Sequence, residues 1–170
     1  MVILTRPQLA IGSTIILGTL FSTRQFWWRS QAPVLYPPQD VTKQGNRFFL
    51  PVRNESELSD LLLIKRPLLM NFTVRGDPYC NKVTGALQRI ITFEMEETKK
   101  KINVVDVEVD DPGTKELLLR FGVKNIPTVV CARKTLPVDW YVDEKLLKDP
   151  KAEVDWEKLK AFIEKNADDE

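Results

Sequence analysis

The chain has 170 residues, 43% of them hydrophobic and 29% charged, with 25 Lys and Arg against 24 Asp and Glu for a net charge of +1. This is the composition of one soluble globular domain with room for a tail, and so small a net charge excludes the strong basic field of a nucleic-acid binder. Histidine is absent and there are only 2 cysteines, which removes Ser-His and Cys-His nucleophile pairs, a histidine general base, a conventional zinc site and a disulfide framework together.

Residues 1–30 carry Arg6, Arg24 and Arg29, no acidic residue, and an apolar run from Leu9 to Phe21. They read as a mitochondrial targeting segment, and Arg24-Gln25-Phe26 is similar to a matrix processing site with cleavage after Phe26. The apolar run falls short of the roughly 20 residues that span hydrocarbon. Extended from Leu9 to Trp28, it places Phe26, Trp27 and Trp28 at a membrane interface, so the alternative is a short inner-membrane anchor with membrane contact through residues 9–28. A secretory signal is a further alternative, and it would expose the sequon Asn54-Glu55-Ser56; no small-x-small cleavage site supports it. Residues 31–46, with Pro33, Pro37, Pro38 and Gly45, form an irregular linker, and the domain occupies 47–168.

Phe48 to Val52 is a short strand that Pro51 assigns to a sheet edge. Asn54, with Glu57 three positions on, starts a helix that buries Leu58, Leu61, Leu62 and Ile64. Leu68 to Val74 reads as a strand covered on both faces. Asp77-Pro78 opens the next helix, with a capping side chain followed by proline at the first helical position. Val83, Leu87, Ile90, Ile91 and Met95 recur at helical spacing, and Lys99 to Lys101 put cations at the helix end. Ile102 to Val109 alternates apolar and polar residues, and Asp111-Pro112-Gly113 turns the chain. A helix over Lys115 to Phe121 stops at Gly122. Thr128 to Cys131 and Val138 to Val142 pair around Lys134-Thr135-Leu136-Pro137, and Asp143 to Glu153 is a solvated loop. The last helix starts near Asp155 and buries Leu159, Phe162 and Ile163. Alternation ending in a hairpin gives an α/β fold, a mixed central sheet covered by helices on both faces.

These features resemble the thioredoxin superfamily. The resemblance rests on the strand leading to Phe72, the helix opening at Asp77, the strand end Val107-Glu108-Val109-Asp110, the stop Phe121-Gly122-Val123, and Asn125-Ile126-Pro127-Thr128. It implies a thioredoxin-like fold and a cis peptide bond before Pro127, with Asn125 and Ile126 pairing with an extended peptide. Aligned on Phe72 and Cys80, the family's Trp-Cys-Gly-Pro-Cys becomes Gly76-Asp77-Pro78-Tyr79-Cys80. The attacking cysteine is Asp77, and the family's buried proton-transfer acid matches Asn71. Dithiol exchange needs one thiolate to attack and another thiol to resolve, so the resemblance stops short of that activity.

Asp77 is expected to cap its helix, Cys131 to sit in the core, and Cys80 and Cys131 to stay unlinked. The function expected is a non-catalytic mitochondrial protein, in the matrix or at the inner membrane. It would bind a protein partner, such as an extended segment, through Asp77, Tyr79, Asn125, Ile126 and Pro127, with no cofactor, metal or nucleic acid. The alternative is a monothiol redox protein exchanging disulfides or glutathione through Cys80.

Overall fold

The computed structural model describes residues 32–38, 45–95, 98–149 and 151–169. The targeting or anchor segment read over residues 1–30 lies outside them. The domain comprises β1 (Arg47–Phe48), α1 (Glu55–Leu62), β2 (Leu68–Thr73), α2 (Pro78–Arg89), β3 (Asn103–Glu108), α3 (Lys115–Arg120), β4 (Thr128–Arg133), β5 (Leu136–Tyr141), α4 (Glu144–Lys148) and α5 (Trp156–Asn166). The strands form one sheet in the order β1-β3-β2-β4-β5, with β1, β3 and β2 parallel and β4 and β5 antiparallel to their neighbours.

The two-residue period of β2 divides the core, because successive side chains point to opposite faces. Leu69 packs with Val83 and Leu87 of α2, with Ile90 just past its end, and with Leu159 and Ile163 of α5. Leu68, Met70 and Phe72 pack with Leu58 of α1 and Leu117 of α3. Phe72 also meets Phe121 at a ring-centroid distance of 6.0 Å. All six residues of β2 are buried, as a strand covered on both faces requires. The fold is the mixed α/β sandwich that the alternation of elements implied.

Several details depart from the sequence reading. β1 ends at Phe48, and Val52 makes only an isolated bridge to Val107; Pro51 has no amide to continue a ladder. α2 runs on into a π-helical turn, Ile90–Glu94, so Lys99 to Lys101 lie beyond the helix. Lys101 instead pairs its backbone with Asp168, and the Lys100 ammonium donates to the Glu164 carbonyl. The hairpin turn is only Lys134-Thr135, both at positive φ (49° and 72°), and Leu136 and Pro137 belong to β5.

The stretch from Asp143 to Glu153 is not a solvated loop, because it contains α4 with Leu146 buried. Asp143 is itself buried. One of its oxygens accepts from the amides of Lys145 and Leu146, the other from the Tyr141 hydroxyl and the Asp155 amide. The polar members of the β3 alternation, Asn103, Asp106 and Glu108, are also buried. Among the described residues no helix is long and apolar enough to cross a membrane.

Candidate functional site

The register of β2 against β4 sets Thr128 opposite Phe72. The Pro127 loop and the chain leaving β2 toward α2 therefore emerge at the same end of the sheet. The Ile126–Pro127 peptide bond is cis. Pro127 is buried, Ile126 half-buried and Asn125 exposed. The Thr128 hydroxyl donates to the Asn125 carbonyl at 2.6 Å, which pins the loop to the strand that follows it. Among the described residues, neither the amide nor the carbonyl of Ile126 takes part in a hydrogen bond.

Across from this loop, Gly76 takes a positive φ of 72° and turns the chain into α2. Asp77 then caps the helix, its Oδ1 accepting from the amides of Tyr79 at 3.0 Å and Cys80 at 2.9 Å. Pro78 follows at the first helical position, where a missing amide costs nothing. Both expectations for this segment rest on local chemistry, a carboxylate and a proline at a helix start. Asp77→Ala should cost about 1 kcal/mol, read as a lower urea midpoint at unchanged slope, and Asp77→Asn should restore most of it. Tyr79, in the first turn, is 38% exposed.

Cys80 is 1% exposed, and its Sγ accepts from the Val74 amide at 3.3 Å. Burial pushes its thiol up to about 11; the Asp77 carboxylate adds to the rise, while the Val74 amide and Thr73 oppose it. Thiolate chemistry needs the opposite surroundings, electropositive and open to solvent. Cys131, inside β4, is fully buried, and burial likewise pushes it up to about 11. Both cysteines are free.

Asn71 occupies the position expected to lack a proton-transfer acid, yet a carboxyl stands beside it. β2 and β3 pair Asn71 directly with Asp106. The Asn71 amide donates to the Asp106 carboxylate at 2.7 Å and to the Thr84 hydroxyl of α2 at 2.8 Å, while its own Oδ1 has no donor. Burial pushes the Asp106 carboxyl up to about 6; the Asn71 amide opposes the rise and the neighbouring Glu108 adds to it. Glu108 is held by Arg53 at 2.7 Å and Arg75 at 3.0 Å.

The segment 32–38 crosses the same helix. The Ala32 amide donates to the Gly76 carbonyl at 3.0 Å, and the side chains of Asn81 and Gln88 donate to the carbonyls of Pro33 at 2.7 Å and Tyr36 at 3.3 Å. Asn81 and Gln88, seven positions apart on one helix face, are the only sequence sign of this contact. Among the described residues there is no group of three or more Cys, Asp and Glu placed to hold a metal ion.

No family model matches the chain, and no curated protein matches it. Solved structures do. The thioredoxin of Malassezia sympodialis is similar at a TM-score of 0.54 and 15% identity, over 76% of this chain and 96% of that one. A mutant thioredoxin from Halobacterium salinarum is similar at 0.51 and 20% identity, also over 76% of this chain and 96% of its own. Oxidised thioredoxin O2 from Arabidopsis thaliana reaches 0.51 and 17% over 69% of this chain and 92% of its own. Likeness at such identities concerns the fold, and on that ground this chain has the thioredoxin-like α/β fold.

Proposed function

We propose that the protein is a non-catalytic mitochondrial binding protein that holds an extended protein segment in the groove beside Pro127. The observation that carries this reading is the unpaired backbone of Ile126. An amide and a carbonyl with no internal partner can give an extended chain the main-chain hydrogen bonds that strand addition uses. In this reading exposed Asn125 and half-buried Ile126 form one side of the groove and Tyr79, in the first turn of α2, the other. The sealed, proton-retaining Cys80 supports binding over thiol exchange, and Asp77 is already spent on capping the helix.

Proximity labelling in cells tests it with the full chain, with Ile126→Lys and with Cys80→Ser. Ile126→Lys should lose a defined set of neighbours that Cys80→Ser keeps. Identical sets for wild type and Ile126→Lys would refute the groove. Disulfide-linked adducts that vanish in Cys80→Ser would replace binding with monothiol redox chemistry.

A further inference from the structure

Residues 32–38 lie along α2 and belong to no strand or helix. The Ala32 amide pairs with the Gly76 carbonyl ahead of the helix, and the side chains of Asn81 and Gln88 hold the carbonyls of Pro33 and Tyr36. Between these latches Leu35 lies against Gly85, where an added Cβ would meet its Cδ1 at 3.7 Å. Pro33, Pro37 and Pro38 fix φ at three positions, so the extended form is largely set before it docks. The covering is thin, with Leu35 37% and Tyr36 66% exposed.

Val34 and Leu35 share a cavity of about 20 Å³ with Thr73, Thr84, Asp106 and Glu108. The segment thus supplies two apolar walls to the space around the Asp106 carboxyl. Asp106 is buried and, among the described residues, accepts a single hydrogen bond, from the Asn71 amide at 2.7 Å. Glu108 on the same strand opposes a second negative charge there, and Arg53 and Arg75 are engaged with Glu108. The residues of segment 32–38, β2 and α2 that line the cavity carry no charge. An ionised carboxyl so placed is short of donors, and water is the partner it lacks.

We propose that segment 32–38 is a detachable strap coupled to the charge on Asp106: it stays closed over the neutral carboxyl and lifts, admitting water, when the carboxyl ionises. Burial in the closed state holds the carboxyl up near 6, and lifting the strap returns it toward its ordinary value. Closing therefore takes up a proton between the two values, so closure is favoured on the acid side and weakens as pH rises through that window. The coupling is reciprocal: loosening the strap lowers the titration of Asp106, and neutralising Asp106 holds the strap down. Lifting also unpairs the Gly76 carbonyl, so the change is felt at the start of α2.

Two reciprocal measurements on the full chain test it. Amide exchange read by NMR, expressed as protection relative to the unfolded-chain rate at each pH, should show Ala32 opening far more readily than the amides of β2. Its opening should rise at least about fivefold from about pH 4.5 to about pH 7.5, and in Asp106→Asn that rise should vanish. The double variant Asn81→Ala with Gln88→Ala removes two latches and no buried side chain. It should lower Ala32 protection and bring the ¹³C titration of the Asp106 carboxyl down by at least about half a pH unit. Ala32 as protected as the β2 amides, a rise in opening that persists in Asp106→Asn, Ala32 protection unchanged by loss of the latches, or a carboxyl titration that the same loss leaves unmoved would each overturn the proposal.

Discussion

In the folded chain at pH 7, iodoacetamide should leave Cys80 unmodified over a period in which the same thiol, exposed in urea, is alkylated to completion. Two effects multiply. The thiolate is the reactive species, and a thiol pushed from 9.0 to about 11 has about one molecule in ten thousand ionised at neutral pH, about a hundredfold fewer than at its ordinary value. Access adds a second factor, because only 1% of the residue meets solvent. Alkylation then proceeds through opening of the fold, and its rate should follow stability as urea is raised. Peptide mapping separates Cys80 from Cys131, which is fully buried on β4 and should behave alike. Labelling of folded Cys80 with an apparent pKa near 7 would overturn this account and restore the single-thiol reading. The outcome decides between two uses of one fold, since a binding groove needs no thiolate and a monothiol exchanger cannot work without one.

The site was legible where its chemistry is local. Asp77 followed by Pro78 announces a helix start whatever surrounds it, and the capping bonds to Tyr79 and Cys80 follow from that pair. Continuous apolar character marked β2 as a buried central strand. Contacts that depend on register were not legible. Asp106 lies 35 positions from Asn71, and only the in-register pairing of β2 with β3 sets the two together. An alternating strand such as β3 suggests one wet face, but Asp106 and Glu108 on that face are both buried. The hairpin turn was located, but its restriction to Lys134-Thr135 was hidden for a different reason. Turns with two positive φ values favour glycine and asparagine, and neither residue occurs there. The contact of segment 32–38 with α2 uses that segment's backbone carbonyls, which leave no mark on its own residue identities, and Asn81 and Gln88 on the helix are the only trace.

Asp106→Asn should stabilise the protein at neutral pH by about 1–3 kcal/mol, an unusual direction for a change at a buried polar site. The folded carboxyl titrates near 6 and the unfolded one near 3.8, so between these values the folded chain holds a proton that the unfolded chain has lost. Unfolding therefore releases a proton in that window, and stability falls as pH rises through it. Above pH 6 the carboxylate is charged in both states, and the full penalty of about 3 kcal/mol remains. Below pH 4 it is neutral in both, and the penalty disappears. The substitution removes the charge while keeping the oxygen that accepts from Asn71. The gain should accordingly be largest at pH 7–8 and shrink as pH falls from 6 toward 4, read from urea unfolding of the wild type and the variant side by side. Glu108 is the one other carboxylate acting on this group, and Arg53 and Arg75 hold it in place. Its contribution is common to both proteins and largely cancels in the difference. A variant less stable than the wild type at pH 7, or a gain that does not vary with pH, would show that Asp106 is held by a partner strong enough to offset its burial.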